Sequence, residues 1–375
     1  MAAIAGCTGS DTEPVPTEQR WSQHGYDAAN TRYAPDVNGP TDDPSTAWEY
    51  AVPTFQPIVG DAVFLVAGAD GCHAVDPDTG ERLWRDDGNY ALSTPTVADD
   101  TLYLSEHGGV RAVADDGGLD VLGRRLRYER WAGGPVRPDS PLTVAADVLV
   151  AGFGGIRDGT LAGVNAEDGT ERWTVPVETT IEGAPAVGGE VVVAADRAAP
   201  LPGETTDTLA YGVSVDDGEV LWTHDFGTSD EVGVNWRAAP VAGDGLGYVP
   251  TTRTLAALDL ATGEEHWTYD EEIAVSPALV GDRLLVCLPT GELLALDAAT
   301  GEKRWRVDVD DAWLHAPAAA GKTVYTATED GTIHGWSLDG ETVFRLSLDG
   351  PIHSPPAISD GRLYVSTDDA LYAIE

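Results

Sequence analysis

Cysteines, histidines and clustered carboxylates are the side chains through which this sequence could do chemistry, and their spacing forms no reactive arrangement. Cysteines stand at positions 7, 72 and 287, none adjacent to another. Cys72 and Cys287 lie in strand-like runs, which predicts buried free thiols rather than a bridge. The eight histidines show no HxxxH pair and no His/Cys grouping at zinc spacing. Asp308, Asp310 and Asp311, or Asp368 with Asp369, could touch a cation, but neither run has the ligand spacing of a calcium loop. In so acidic a chain such runs are expected to be solvated surface. No nucleophile elbow, phosphate loop or dinucleotide fingerprint occurs, so no catalytic residue and no metal ligand is assigned. What remains is a set of binding-type residues: Phe55, Gln56, Tyr90, Glu182, Trp236, Arg237, Trp313, His315 and His353. Aromatic and guanidinium groups are the common anchors of interfaces and pockets.

These nine residues share a position within a repeat. Residues 293–305 read LLALDAATGEKRW: an apolar strand, an aspartate that starts a turn, a glycine that closes it and a tryptophan on the return strand. Near copies end at Trp84, Trp173, Trp222 and Trp267, and looser ones at Trp131 and Phe344. Trp48 lies on a return strand that lacks the earlier part of its unit. The anchors Trp48, Trp84, Trp131, Trp173, Trp222, Trp267, Trp305 and Phe344 are 36 to 49 residues apart, the period of propeller blades. Each would wedge against the next copy's turn.

Eight proline-marked strands open the units, beginning near Gln56, Ser93, Ser140, Gly183, Ala238, Ser276, Ala316 and Ser354. Proline suits a strand whose free edge lines a central channel. The chain ends on a third strand without a fourth, and Trp48 belongs to a fourth strand without the first three. The expected fold is therefore all-β: an eight-bladed propeller of four-stranded antiparallel blades, closed by pairing the strand around Trp48 with the C-terminal strands. Residues just before each opening strand should ring the channel mouth, which is where the nine fall. Trp236 sits in the longest such loop, residues 225–238, and residues 196–208 form an arm in the fourth unit.

The formal net charge of −41, with Lys303 and Lys322 the only lysines, argues against nucleic-acid partners and for a salt-adapted protein. Ile4-Ala5-Gly6-Cys7 resembles a lipobox, and residues 8–19 have the composition of a flexible tether. Residues 1–20 then form anchor and tether, and residues 21–375 a single propeller. Cys7 would carry the lipid at the extracellular face of the cytoplasmic membrane, the only membrane association expected.

The repeats ending at Trp267 and Trp305, with Asp-x-x-Thr-Gly turns, resemble the PQQ-type propeller repeat, and the resemblance covers residues 21–375. The resemblance implies the ring and leaves activity open. The repeat occurs in pyrroloquinoline-quinone alcohol dehydrogenases and in non-enzymatic proteins such as the BamB-type assembly lipoprotein. The dehydrogenases would bring adjacent cysteines, a calcium site of Glu and Asn and a catalytic Asp, and this sequence has no adjacent cysteines. Residues 21–35 resemble the lead-in of quinoprotein propellers and should form a plug. The resulting expectation is a monomeric, non-catalytic surface scaffold without a cofactor, binding an envelope protein or surface ligand. A quinone- and calcium-dependent dehydrogenase and a glycan- or small-molecule-binding propeller are the alternatives, and the composition suggests a haloarchaeal host.

Overall fold

The recurring turn folds as its residues dictate. Asp297 Oδ1 accepts hydrogen bonds from the N–H groups of Ala299 and Thr300 and from Thr300 Oγ1 (3.1, 3.0 and 3.1 Å), and Gly301 N–H returns to Asp297 O at 2.8 Å. Gly301 has φ +71°, the left-handed region that the turn requires. Asp76 and Asp259 build the same cage around Thr79 and Thr262.

The computed structural model describes residues 20–375 except 89, 91–93, 107, 122–123, 127–128, 135–137, 139, 156–157, 197–205, 230–237, 252, 274 and 310–312. It is all-β, with eight antiparallel blades of four strands, and no α-helix among the described residues. The innermost strands are Ile58–Val59, Thr96–Ala98, Thr143–Ala145, Ala186–Gly188, Val241–Gly243, Ala278–Val280, Ala318–Ala320 and Ala357–Ser359. In the eighth blade the outermost strand is Thr46–Tyr50, antiparallel to Leu371–Ile374 with Trp48 opposite Ala373. Ser45 and Glu375 exchange backbone hydrogen bonds at 2.9 and 3.0 Å, so the ladder runs to the last residue.

Apolar side chains are buried between neighbouring blades rather than in one central mass. The largest apolar cluster spans blades seven, eight and one, where the two ends of the chain meet. The anchors lock these seams. Indole N–H groups of Trp48, Trp84, Trp131, Trp173, Trp222, Trp267 and Trp305 donate to Pro77, Asp115, Ala166, Val215, Leu260, Ala298 and Leu338 in the following blade's turn, at 2.8–3.0 Å.

Phe344 departs from this pattern for a physical reason. It faces the eighth blade, whose third and fourth strands come from opposite ends of the chain, so no turn exists there to accept an N–H. Phe344→Trp should therefore destabilise the fold by about 1–2 kcal/mol, read by chemical denaturation, through an indole N–H buried without a partner.

Two expectations need correction. The outermost strand of blade four, Val220–Ser229, continues through residues placed in the long loop, pairing Asp225 with Leu209 and Ser229 with Thr206. Alternating side chains and a long partner strand, Thr206–Ser214, carry the ladder past Phe226. The arm is correspondingly shorter, because Thr206–Thr208 belong to that partner. The inner edges are not free either: Tyr33–Ala34 pairs in parallel with Ala319–Ala320, and the preceding residues occupy the hub.

Candidate interaction face and the filled hub

Residues 21–34 thread the centre of the ring and receive at least one backbone N–H from each of seven blades. Trp21 O accepts from Val59 and Ser22 O from Val97, both at 2.8 Å. Gln23 Oε1 accepts from Val144 (2.7 Å) and Nε2 donates back to Val144 O (3.2 Å). Ala28 O, Ala29 O, Thr31 O and Arg32 O then accept from Val187, Ala242, Leu279 and Ala319 at 2.7–2.9 Å. Each donor belongs to an innermost strand. The plug thereby satisfies inner-edge donors that would otherwise need water or a ligand.

The plug's coil is held from within. Asp27 accepts from Thr31 N–H (2.9 Å) and Thr31 Oγ1 (2.6 Å), with its carboxyl raised by burial. Asn30, at φ +57°, donates through Nδ2 to the carbonyls of Ala184, Pro185 and Pro240 at 2.9, 3.2 and 3.2 Å.

Above the plug, several expected mouth residues form one connected patch over blades seven, eight and one. His315 Nε2 meets Ile352 O at 2.8 Å, next to His353, and burial lowers the His315 pKa so that it is neutral at neutral pH. His353 Nε2 lies 2.8 Å from Asp368 Oδ1. Ser366 joins the neighbours: its carbonyl accepts from His353 N–H and its hydroxyl donates to Phe55 O (2.9 Å). Trp313 is half-buried and its carbonyl accepts from Glu329 N–H.

Gln56 and Tyr90, in contrast, are both 3% exposed and brace the loops from beneath. Gln56 Nε2 donates to His24 O (3.0 Å), and Tyr90 receives Arg111 Nη1 (3.2 Å). Glu182 is half-buried before the fourth blade. Trp236, Arg237 and Cys7 lie outside the described residues.

Two groups were missed by sequence spacing, the first because turns of neighbouring blades bring it together. Asp61, Asp100 and Asp115 place carboxylate oxygens within 4.8 Å of one another, the one such three-ligand group among the described residues. Burial, then Asp100 and Asp61, raise the Asp115 carboxyl, and Arg20 pairs with Asp61.

Asp196 is also buried, accepting from Leu209 N–H (2.8 Å) and Tyr211 OH (3.2 Å), and desolvation pushes its pKa up to about 6. The native state thus binds a proton more tightly than the unfolded chain does. This contribution favours the fold below about pH 4 and is lost as pH rises through about 6, a change of about 3 kcal/mol. Relative to Asp196→Asn, the wild type should lose that stability across the window, measured by denaturation at stepped pH.

The thiols do not fit the adjacent-cysteine arrangement that the repeat brings in quinone enzymes. Cys72 and Cys287 are fully buried, in the first and sixth blades, and form no disulfide with each other.

Comparison with known proteins agrees with this architecture. No curated protein matches the chain significantly. Among solved structures, BamB from Moraxella catarrhalis is similar at TM-score 0.66 and 17% identity, over 88% of this chain and 97% of that one. Quinohemoprotein alcohol dehydrogenase from Comamonas testosteroni has TM-score 0.70 and 13% identity, over 95% and 80%. The computationally designed Ika8 protein has TM-score 0.70 and 14% identity, over 88% and 98%. At these identities the likeness is one of fold, which BamB, an alcohol dehydrogenase and a designed protein all share. The sequence model of the family of outer membrane protein assembly factor BamB, a PQQ-type propeller family, matches residues 19–155, 106–287 and 289–375, and the chain belongs to that family.

Proposed function

We propose that the protein is a non-catalytic binding scaffold of the cell envelope, using the face formed by Phe55, Trp313, His315 and His353 to hold a partner protein. The observation that carries this reading is the filled hub: the chain's own residues 21–34 take up inner-edge donors of seven blades, leaving the face loops as the surface for contact. Membership in a family named for an assembly factor supports the same class of activity. Trp236, Arg237 and Glu182 are proposed to extend the patch, and Cys7 to anchor the protein by lipid outside the cytoplasmic membrane, with residues 8–19 as tether. The placing of Cys72 and Cys287 in separate blades weighs against the quinone reading.

In-cell crosslinking followed by mass spectrometry tests the reading. One envelope protein should be captured reproducibly, and Trp313→Ala with His353→Ala should reduce its yield without lowering the Tm. Undiminished capture would dismiss this face, and saturable quinone binding with dye reduction would dismiss the scaffold. With a net charge of −41, lowering the salt concentration should also lower the Tm, because carboxylate repulsion is then unscreened.

A further inference from the structure

Arg32 is fully buried inside the plug, at φ +54°. Its Nε donates to Pro317 O (3.2 Å) and its Nη1 to His24 O (3.2 Å), the carbonyl that Gln56 Nε2 also approaches at 3.0 Å. Nη2 is buried with no hydrogen-bond partner. Neutral carbonyls satisfy donors but do not balance the charge. A buried cation is ordinarily paired, since an uncompensated one costs several kcal/mol.

No described carboxylate forms an ion pair with it. The titratable group whose field reaches it is Cys287, whose thiol burial pushes far up, leaving it neutral. Burial lowers the Arg32 pKa to about 9, so the guanidinium still carries its charge at neutral pH. The hub therefore holds a fixed positive charge with one N–H edge unused.

We infer that Arg32 Nη2 is the anchor of a monoanion site at the centre of the propeller, taking an ion of the halide class. A halide supplies the missing charge as a single spherical ion, and the buried guanidinium offers it a charge-assisted N–H donor in surroundings of low dielectric, where their attraction is strong. The site is structural: the anion completes the plug that the seven blades close upon.

Bromide provides the direct test. Crystals of the full chain grown in sodium bromide should show an anomalous peak within hydrogen-bond distance of Arg32 Nη2. Water there, a carboxylate of the chain itself, or bromide only on the surface would overturn the inference. In solution, replacing chloride by gluconate at fixed sodium should lower the wild-type Tm by several degrees. Arg32→Gln should lose that anion-specific shift while keeping its dependence on sodium. An equal chloride-specific shift in both proteins would also overturn it, and the bromide map decides the matter on the wild type should Arg32→Gln not fold.

Discussion

Gly301→Ala is expected to destabilise the protein by about 2–4 kcal/mol, whereas Gly281→Ala should cost only about 1 kcal/mol. Both glycines have positive φ, +71° and +59°, so alanine meets the same left-handed penalty at each. Their surroundings differ. A Cβ at Gly301 would lie 2.6 Å from Cε3 of Trp267 in the preceding blade, while one at Gly281 meets nothing within 4 Å. The difference therefore isolates the docking of indole on turn, at the usual cost of overpacking. Gly263, whose Cβ would stand 2.6 Å from Trp222, should behave like Gly301. Guanidinium denaturation at constant high salt reads the comparison. Equal losses at positions 281 and 301 would mean that the turns, and not the seams between blades, limit stability.

Asn30→Ala should cost about 2–4 kcal/mol. Its amide nitrogen serves three carbonyls from the approaches to blades four and five, all remote from it in sequence, and the side chain is 2% exposed. Alanine would leave these acceptors in the hub without their donor and would tolerate φ +57° less well than asparagine does. Asn30→Gly separates the two effects, because it relieves the backbone and still removes the amide. It should retain most of the loss. Wild-type stability in Asn30→Gly would show that conformation alone selects asparagine.

The parts of this fold that could be read from the sequence are those encoded locally. Asp297, Gly301 and Trp305 lie within one hairpin, so each copy declares its own turn and seam, and the anchors lead directly to eight blades. The plug is encoded differently. Asn30 and Arg32 act on residues more than 150 positions away, and no periodicity marks them. The expected mouth residues divide for a similar reason: position in the repeat places them near the channel, but partners from other segments decide exposure. Gln56 and Tyr90 are drawn inward by His24 and Arg111, whereas His353 stays at the surface with Asp368. The strand continuing beyond Asp225 was hidden because glycine and polar residues there imitate a loop.

The hydrogen bonds of the plug also follow the chain's own order. Residues 21, 22, 23, 28, 29, 31 and 32 meet blades one to seven in succession. Synthesis proceeds in the same direction, so each blade leaving the ribosome would find its contact beside the one just used, as beads meet successive notches on a ruler. The order of seven of the eight blades is thus written into fourteen residues made before any blade exists, and deleting one whole repeat would shift every later contact out of step. A shortened ring would have to discard its own measure in order to close.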